Sequence, residues 1–587
     1  MITDRMVRAL DDRLRTAPLA RRAMAKVFPD HWSFMLGEIA LYSLVALVLT
    51  GVFLTLFFEP STAQRAYSGA YEPLDGSSVS AAYASTVALS YDVRAGLLIR
   101  QTHHWAALVF VGAIVLHLVR IFFTGAFRKP REINWLIGVT MLTLALLNGF
   151  TGYSLPDDLL SGTGLRIIYS VVESIPLVGA WLAFLAFGGE FPADPMIPRM
   201  FVTHVLIVPA ALIGLVTAHL AIVVRQKHSQ FPGPGRTEHN VVGSRLWPAY
   251  TLRTLALLAW VFAVLFALGG LAQINPVWIY GPFDPAQVTA PAQPDWYVAW
   301  GDGALRLFPP WEWRIFGYLV PAPFLPGVVL GGATFAGLYV WPFLERRFRR
   351  DRSAHQLLDR PREHPVRIGI GVAVLLFFGL LTVAAGDDIV ARLLGLSLLD
   401  VLSVLRVLVL VLPPLGGLVA FLLARALRAS GGSDLTGLTG DDLRAALGRT
   451  TGRRVARTAP RGAGQTVGET SDGVPHPGNA RPTEDDHVDP GRVELWADVD
   501  GTWWWCYHEP GTGLRLAGNR GFLSQAAAAD AAGTAYPGVV PVVVPSPGRR
   551  QAELRRMARS SAGWAGRIVG YVALLVIGAL RRRRRRR

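Results

Sequence analysis

Residues Gly96–Phe123 read GLLIRQTHHWAALVFVGAIVLHLVRIFF. A bilayer's hydrocarbon core, roughly 30 Å thick, takes about 20 apolar residues to cross, and this run is long enough. Yet it carries His103, His104, His117, Arg100 and Arg120, polar groups that are costly inside a membrane and need partners there. His103 and His117 are fourteen positions apart. At about 100° and 1.5 Å per residue, the two rings fall within about 40° of one helix face and about 21 Å apart along the axis. One helix therefore offers an imidazole near each membrane surface. His104 points about 140° away from the His117 face and is not expected to share that chemistry.

The same arrangement recurs farther along. His204 and His219, fifteen positions apart, leave about 60° and about 22 Å between their rings. Eight apolar runs have spanning length: Ser33–Phe58, Gly96–Phe123, Ile133–Tyr153, Phe201–Val224, Thr251–Leu271, Ile315–Phe343, Val366–Ala385 and Leu398–Leu423. The loops after the second, fourth and sixth runs hold Arg128, Lys129 and Arg131; Arg225, Lys227, Arg236 and Arg245; and Arg346, Arg347, Arg349, Arg350 and Arg352. The other loops are acidic. Cytoplasmic loops are enriched in Lys and Arg, so both ends of the bundle are expected in the cytoplasm, in a multi-pass protein of the cell membrane.

That topology makes the second and fourth spans parallel. It pairs His103 with His204 near the outer surface and His117 with His219 near the inner one. Two imidazoles facing across a flat gap suit a bis-histidine haem, whose iron has no open position and so transfers electrons. A flat macrocycle also needs close backbone approach, which glycine permits. Gly37 and Gly51 on the first span and Gly138 and Gly152 on the third repeat the fourteen-residue interval. Two non-covalent b haems are expected, with Arg100 and Arg120 placed either to meet their propionates or simply to snorkel to the surface from the span ends. The fold class expected is all-α membrane protein: eight transmembrane helices with a di-haem four-helix core, plus a small C-terminal α+β extension.

Composition agrees. Of 587 residues, 51% are hydrophobic and 17% charged, too few polar side chains to cover a soluble globule of this size. The net charge of +16 comes from arginines beside apolar runs, a membrane-topology pattern and not a nucleic-acid surface. The single cysteine, Cys506, cannot build an iron–sulfur site or a C-x-x-C-H haem attachment. Met1 to Phe28 is basic and lacks an apolar core, so no cleaved signal is expected.

The chain divides into a cytoplasmic segment 1–32, a di-haem bundle 33–271, a loop with three helices 272–425, a disordered linker 426–491, a small α+β module 492–545 and a basic tail 546–587. Within that tail, Ile568–Leu580 ends in Arg581–Arg587, a pattern for a surface-lying or partly inserted helix held by anionic lipid more than for a ninth crossing, for which the run is short.

Three stretches carry a family resemblance. They are Leu98-Ile99-Arg100-Gln101-Thr102-His103, Thr124-Gly125-Ala126-Phe127-Arg128-Lys129-Pro130-Arg131-Glu132 and Gly149-Phe150-Thr151-Gly152-Tyr153-Ser154-Leu155-Pro156. Over roughly Asp30 to Leu423 the chain resembles the cytochrome b subunit of quinol:cytochrome c oxidoreductase. The second of these stretches and the histidine spacing are similar to the plastoquinol type. The fused eight-span chain and Asp157-Asp158-Leu159-Leu160-Ser161-Gly162-Thr163-Gly164 are similar to the actinobacterial menaquinol form.

The resemblance implies menaquinol oxidation at an outer site with electron bifurcation. Electrons would pass through two b haems to an inner quinone, coupled to proton translocation. It implies a separate Rieske iron–sulfur subunit and cytochrome c subunit, and admits a terminal oxidase in a supercomplex. It maps the family's Pro-Glu-Trp-Tyr loop onto Pro294, Asp295, Trp296 and Tyr297, making Asp295 and Tyr297 the catalytic candidates. A shorter carboxylate stands where the family has Glu. An aspartate before an aromatic pair is otherwise an ordinary turn residue. Met35 stands where the plastoquinol branch has a haem-attaching cysteine, so no covalent haem is expected. The inner quinone site is marked only by Arg225, Lys227, His228, Asp30 and His31, which also read as solvated loop charges. Other functions compatible with buried histidines are a haem-b membrane anchor for a dehydrogenase, which gives no reason for the Pro294–Tyr297 loop, and a transporter, whose polar residues would gather at the midplane.

Overall fold

The computed structural model describes residues 13, 24–287, 293–430, 492–497, 503–508, 515–517, 522–535 and 541–543. The bulk of the linker, 431–491, and the basic tail lie outside the described residues. Eight helices are long and apolar enough to cross a membrane: α1 Trp32–Thr55, α2 Gly96–Thr124, α3 Glu132–Tyr153, α4 Met196–Gln226, α5 Leu246–Leu271, α6 Phe324–Arg349, α7 Pro365–Ala385 and α8 Leu398–Arg428.

Two boundaries differ most from the sequence reading. The sixth span starts at Phe324, because Trp313–Ile315 and Tyr318–Val320 pair as an antiparallel hairpin around Phe316 and Gly317, both at positive φ. The last helix continues unbroken to Ser430, so the segment from residue 426 begins as helix and not as linker. Helices that the hydropathy runs did not show stand in the Lys/Arg-poor loops, among them Ala81–Tyr91, Leu159–Glu173 and Gly179–Phe187. Ser80 caps the first, accepting from the Tyr83 N–H, and Asp158 caps the second in a box with Ser161. Helices this short fall below any spanning-length window.

In the first half, α1 packs along α2, α5 closes against both, and α4 lies against α3. Ala40 and Leu44, Phe110, Val111 and Ala113, and Leu142 and Ala145 meet in one buried cluster. In the second half, α7 packs against α8 and against the short helix Trp296–Leu307. A π-type turn opens at Thr203–Ile207, two residues ahead of Pro209; a proline ring clashes with the carbonyl four residues back, and widening the turn relieves that contact. A second opens at Phe324–Val329 in the first turns of α6, and α5 is kinked at Trp247, whose backbone is extended. His204 sits in the first of these turns.

At the Arg-rich end, Asp359 accepts from Arg128 at 3.0 Å, Arg367 at 2.9 Å and His364 at 3.0 Å, tying the α2–α3 loop to the α6–α7 loop. Burial opposes ionisation of Asp359, but the His364 hydrogen bond and the Arg128 and Arg367 charges outweigh it and hold the carboxyl below its ordinary range.

The chain splits into two compact units, Met1–Arg453 and Arg454–Arg587. In the second, Arg492–Ala497, Trp503–His508 and Arg515–Ala517 form an antiparallel series, and Pro541–Val543 adds a parallel edge beside the first. Helix Gln525–Ala535 packs on the two central strands through Ala528 and Ala532, with Val493 and Leu495 buried in the sheet. This is the small α+β module expected from the sequence.

Candidate haem and quinone sites

His103 on α2 faces His204 on α4 with ring centroids 6.2 Å apart and ring planes at 71°. A metal–imidazole bond of about 2.0 Å plus about 1.1 Å from nitrogen to ring centre, taken twice, gives about 6.2 Å, so the pair has the spacing of two axial ligands. The tautomers agree. The Thr50 hydroxyl donates to the Ala46 carbonyl at 2.6 Å, so at 2.8 Å from His103 Nδ1 its oxygen accepts the ring N–H. His204 Nδ1 donates to the Asn148 carbonyl at 2.9 Å. Both Nε2 lone pairs are left free to bind metal, the usual arrangement of a ligating histidine.

At the second pair, His117 lies within electrostatic reach of His219 and Arg120; its Nδ1 is buried with no hydrogen-bond partner among the described residues, while His219 has the Asn134 backbone beside it. Nε and Nη2 of both Arg100 and Arg120 are likewise buried and unpaired. An orphaned guanidinium donor is expensive, and a cofactor bearing carboxylates would satisfy it.

Glycines line the same space. A Cβ on Gly152 would lie 2.3 Å from His204 Cε1, on Gly51 3.3 Å from His103 Cε1 and on Gly37 3.2 Å from His117 Cε1. Gly138 departs from this pattern, since a Cβ there would meet nothing within 4 Å. Bis-imidazole spacing, unpaired guanidinium groups and a glycine cradle together fit haem b.

Asp295 opens the helix Trp296–Leu307 without using its side chain as a cap. Instead the His104 Nε2 lies 2.9 and 3.0 Å from its two oxygens, and the Tyr297 hydroxyl donates to Oδ2 at 3.0 Å. The ordinary turn role is therefore not the one the side chain plays. Trp296 and Tyr297 are helical, not loop, residues. Tyr297 is buried where a Cβ on Gly149 would strike its hydroxyl at 2.5 Å. Burial, then the Asp295 charge, push the Tyr297 hydroxyl well above the ordinary range, keeping it a donor. Of the inner candidates, Asp30 is paired with Arg253 at 2.6 Å, and Lys227 reaches the His239 carbonyl. Arg225 is exposed. His228 stands between Phe28 at 4.9 Å and Phe34 at 6.1 Å, and His31 lies 4.6 Å from Phe231. Burial first, then the Lys26 and Arg131 charges, push His228 down to about 4, so its ring is neutral.

A family profile described as Cytochrome b(N-terminal)/b6/petB matches residues 108–282. A Mycobacterium tuberculosis protein named cytochrome bc1 complex cytochrome b subunit is 49% identical over 411 residues, covering 70% of this chain and 75% of that one. Proteins of the same name from Corynebacterium diphtheriae and Streptomyces coelicolor are 49% identical over 422 residues and 48% over 389, covering 72% and 66% of this chain and 78% and 71% of theirs. The chain belongs to the cytochrome b subunits of bc1 complexes. A solved structure titled Hyperthermophilic respiratory Complex III, 21% identical, superposes with a TM-score of 0.54 over 71% of this chain and 99% of that chain, and shares the fold.

Membership makes the chain a multi-pass, haem-b-binding subunit of a respiratory oxidoreductase in the cell membrane. Within this cytochrome b, sequence reasoning missed His104, Thr50 and Asn148 as working residues. His104 was excluded as a ligand by its angle, but that same angle turns it toward Asp295. No local signal marked Thr50 or Asn148, whose roles are set by which helix stands opposite.

Proposed function

We propose that the chain oxidises menaquinol at an outer pocket containing Pro294, Asp295, Trp296 and Tyr297, within a quinol:cytochrome c oxidoreductase, and delivers electrons to an inner quinone. One observation carries the reading. Adjacent residues of α2 serve two partners, His103 facing His204 across a bis-ligand gap and His104 holding both oxygens of Asp295. An electron acceptor and a proton acceptor thus stand side by side, and quinol oxidation needs both.

Two non-covalent b haems would be held by His103 with His204 and by His117 with His219. Arg100 and Arg120 would meet their carboxylates, and Gly37, Gly51, Gly138 and Gly152 would leave room for the rings. When bound, these groups supply the one-electron chemistry that lets an electron cross the bilayer. The chain's own residues do the rest. Asp295 accepts a quinol proton, with His104 and Tyr297 fixing the direction in which its carboxylate points. Trp296 and Tyr297 wall the pocket against water. The second electron of each quinol leaves to a Rieske iron–sulfur subunit and on to a cytochrome c subunit, with a terminal oxidase as supercomplex partner. With both ends of the bundle cytoplasmic, proton release outside and uptake inside amount to translocation. A reduced-minus-oxidised spectrum of the purified protein should show two b-type components, and a spectrum with none would end this reading.

A further inference from the structure

Five side chains at the inner end form a chain of contacts. Phe34 meets His228 edge-on at 6.1 Å, and His228 meets Phe28 at 4.9 Å. Phe28 stacks on Tyr250 at 4.4 Å, whose hydroxyl donates to Glu38 Oε1 at 2.5 Å. Glu38 lies four residues after Phe34, on the same face one turn deeper. Arg120 covers Phe34 at 4.3 Å, and the neighbour Gly37 abuts the His117 ring. The series therefore borders the inner histidine pair and includes His228.

Glu38 is the chemically unexpected member. A carboxyl within an apolar span is costly and is usually functional, and this one sits in the second turn of α1. Its oxygens accept from two neutral hydroxyls, Tyr250 and Thr254 at 2.6 Å, with Tyr42 bonded to Thr254 behind them. Among the described residues it makes no ion pair, since the cation on that face, Arg253, is taken by Asp30 and Ser244. A polar tie between α1 and α5 needs only an amide or a hydroxyl. What a carboxyl adds is a transferable proton.

We propose that Glu38 is a proton donor to the quinone reduced at the inner site, an assignment that rests on the inner-site reading above. Converting quinone to quinol takes two electrons, arriving singly from the inner histidine pair's cofactor, and two protons. Glu38 supplies one: its O–H bond breaks and an O–H forms on a quinone oxygen. The carboxylate left behind is reprotonated from inner-side water through the Tyr250 hydroxyl, with Asp30, in electrostatic reach of Tyr250, at the surface. The second proton comes from the same water.

The test uses the full complex in membranes, with menaquinol as reductant and menaquinone as inner-site oxidant. Glu38→Gln keeps the shape and the hydrogen bonds but holds no acidic proton. It should slow menaquinone-dependent re-oxidation of the b absorbance by about 100-fold or more, while first-turnover reduction from the outer side and both b components stay as in the parent. Glu38→Asp should recover a large part of the rate. In infrared difference spectra taken on menaquinone reduction, the parent should show a carboxyl C=O band that is absent in Glu38→Gln and shifted in Glu38→Asp. Parent-like re-oxidation in Glu38→Gln, or a persisting carboxyl band, overturns the assignment. If Glu38→Gln loses the inner b component, Tyr250→Phe decides: it keeps the carboxyl, and unchanged re-oxidation overturns the relay. Absence of menaquinone-dependent re-oxidation in the parent itself would remove the inner site as a whole, an outcome distinct from failure of Glu38 alone.

Discussion

The two ends of the histidine bundle differ in what the chain itself supplies. At the His103/His204 end Thr50 and Asn148 orient the two rings, and His104 and Tyr297 clamp Asp295. At the His117/His219 end the Asn134 backbone stands beside His219, His117 Nδ1 has no partner among the described residues, and aromatic rings line the space. The acids in the flanking loops diverge in the same sense. Asp359, among cations, is held below its ordinary range. Asp157 is pushed up to about 6, first by burial and then by the neighbouring Asp158 charge, against a Ser80 hydrogen bond. Fixed partners hold the groups of the His103/His204 end in one geometry before any ligand arrives, as the proposed outer-site chemistry requires.

Four experiments bear on this contrast. The largest effect is expected from the ligands: His103→Ala and His204→Ala should erase one and the same b component, and His117→Ala and His219→Ala the other. Loss of a common component in His103→Ala and His219→Ala would break the pairing and the contrast with it. Next is Asp295. Asp295→Asn preserves size but cannot take the proton, so quinol:cytochrome c turnover normalised to haem should fall by about 100- to 10,000-fold with spectra unchanged; Asp295→Glu should keep much more activity. A turn role would reverse that order, because Asn replaces Asp in turns better than Glu does.

A smaller and more local effect separates the glycines. Gly152→Ala would drive a methyl into the His204 ring and should weaken outer haem binding, whereas Gly138→Ala, with nothing within 4 Å, should meet no protein atom and hold the inner component more nearly intact. Equal loss in both variants would show that the cofactor, and not the histidine, demands glycine at each position. The smallest effect belongs to Asp157. Its folded-state pKa lies above the ordinary 3.8, so ionisation costs stability as pH rises through about 6. Asp157→Asn should therefore raise the thermal midpoint at pH 8 and leave it unchanged at pH 3.5; an equal rise at both would assign the gain to packing.

The sequence by itself determined the eight spans, and it carried the proposals of two histidine pairs and of His104 as a non-ligand. All of these follow from one helix at a time, where 100° per residue and 1.5 Å of rise fix each side chain's direction and depth. The Pro294–Tyr297 segment was legible as a motif, but not as the start of a helix whose first acid faces α2. Only the tertiary structure decided what His104 faces, that Thr50 and Asn148 orient the His103 and His204 rings, that Gly152 is tightly confined while Gly138 is open, and that Glu38 is linked through Tyr250 and Phe28 to His228. Contacts of this kind run between residues far apart in the chain, 191 positions for His104 and Asp295 and 212 for Glu38 and Tyr250. Helical periodicity fixes which way a side chain points, but the relative rotation and crossing of packed helices fix what it meets.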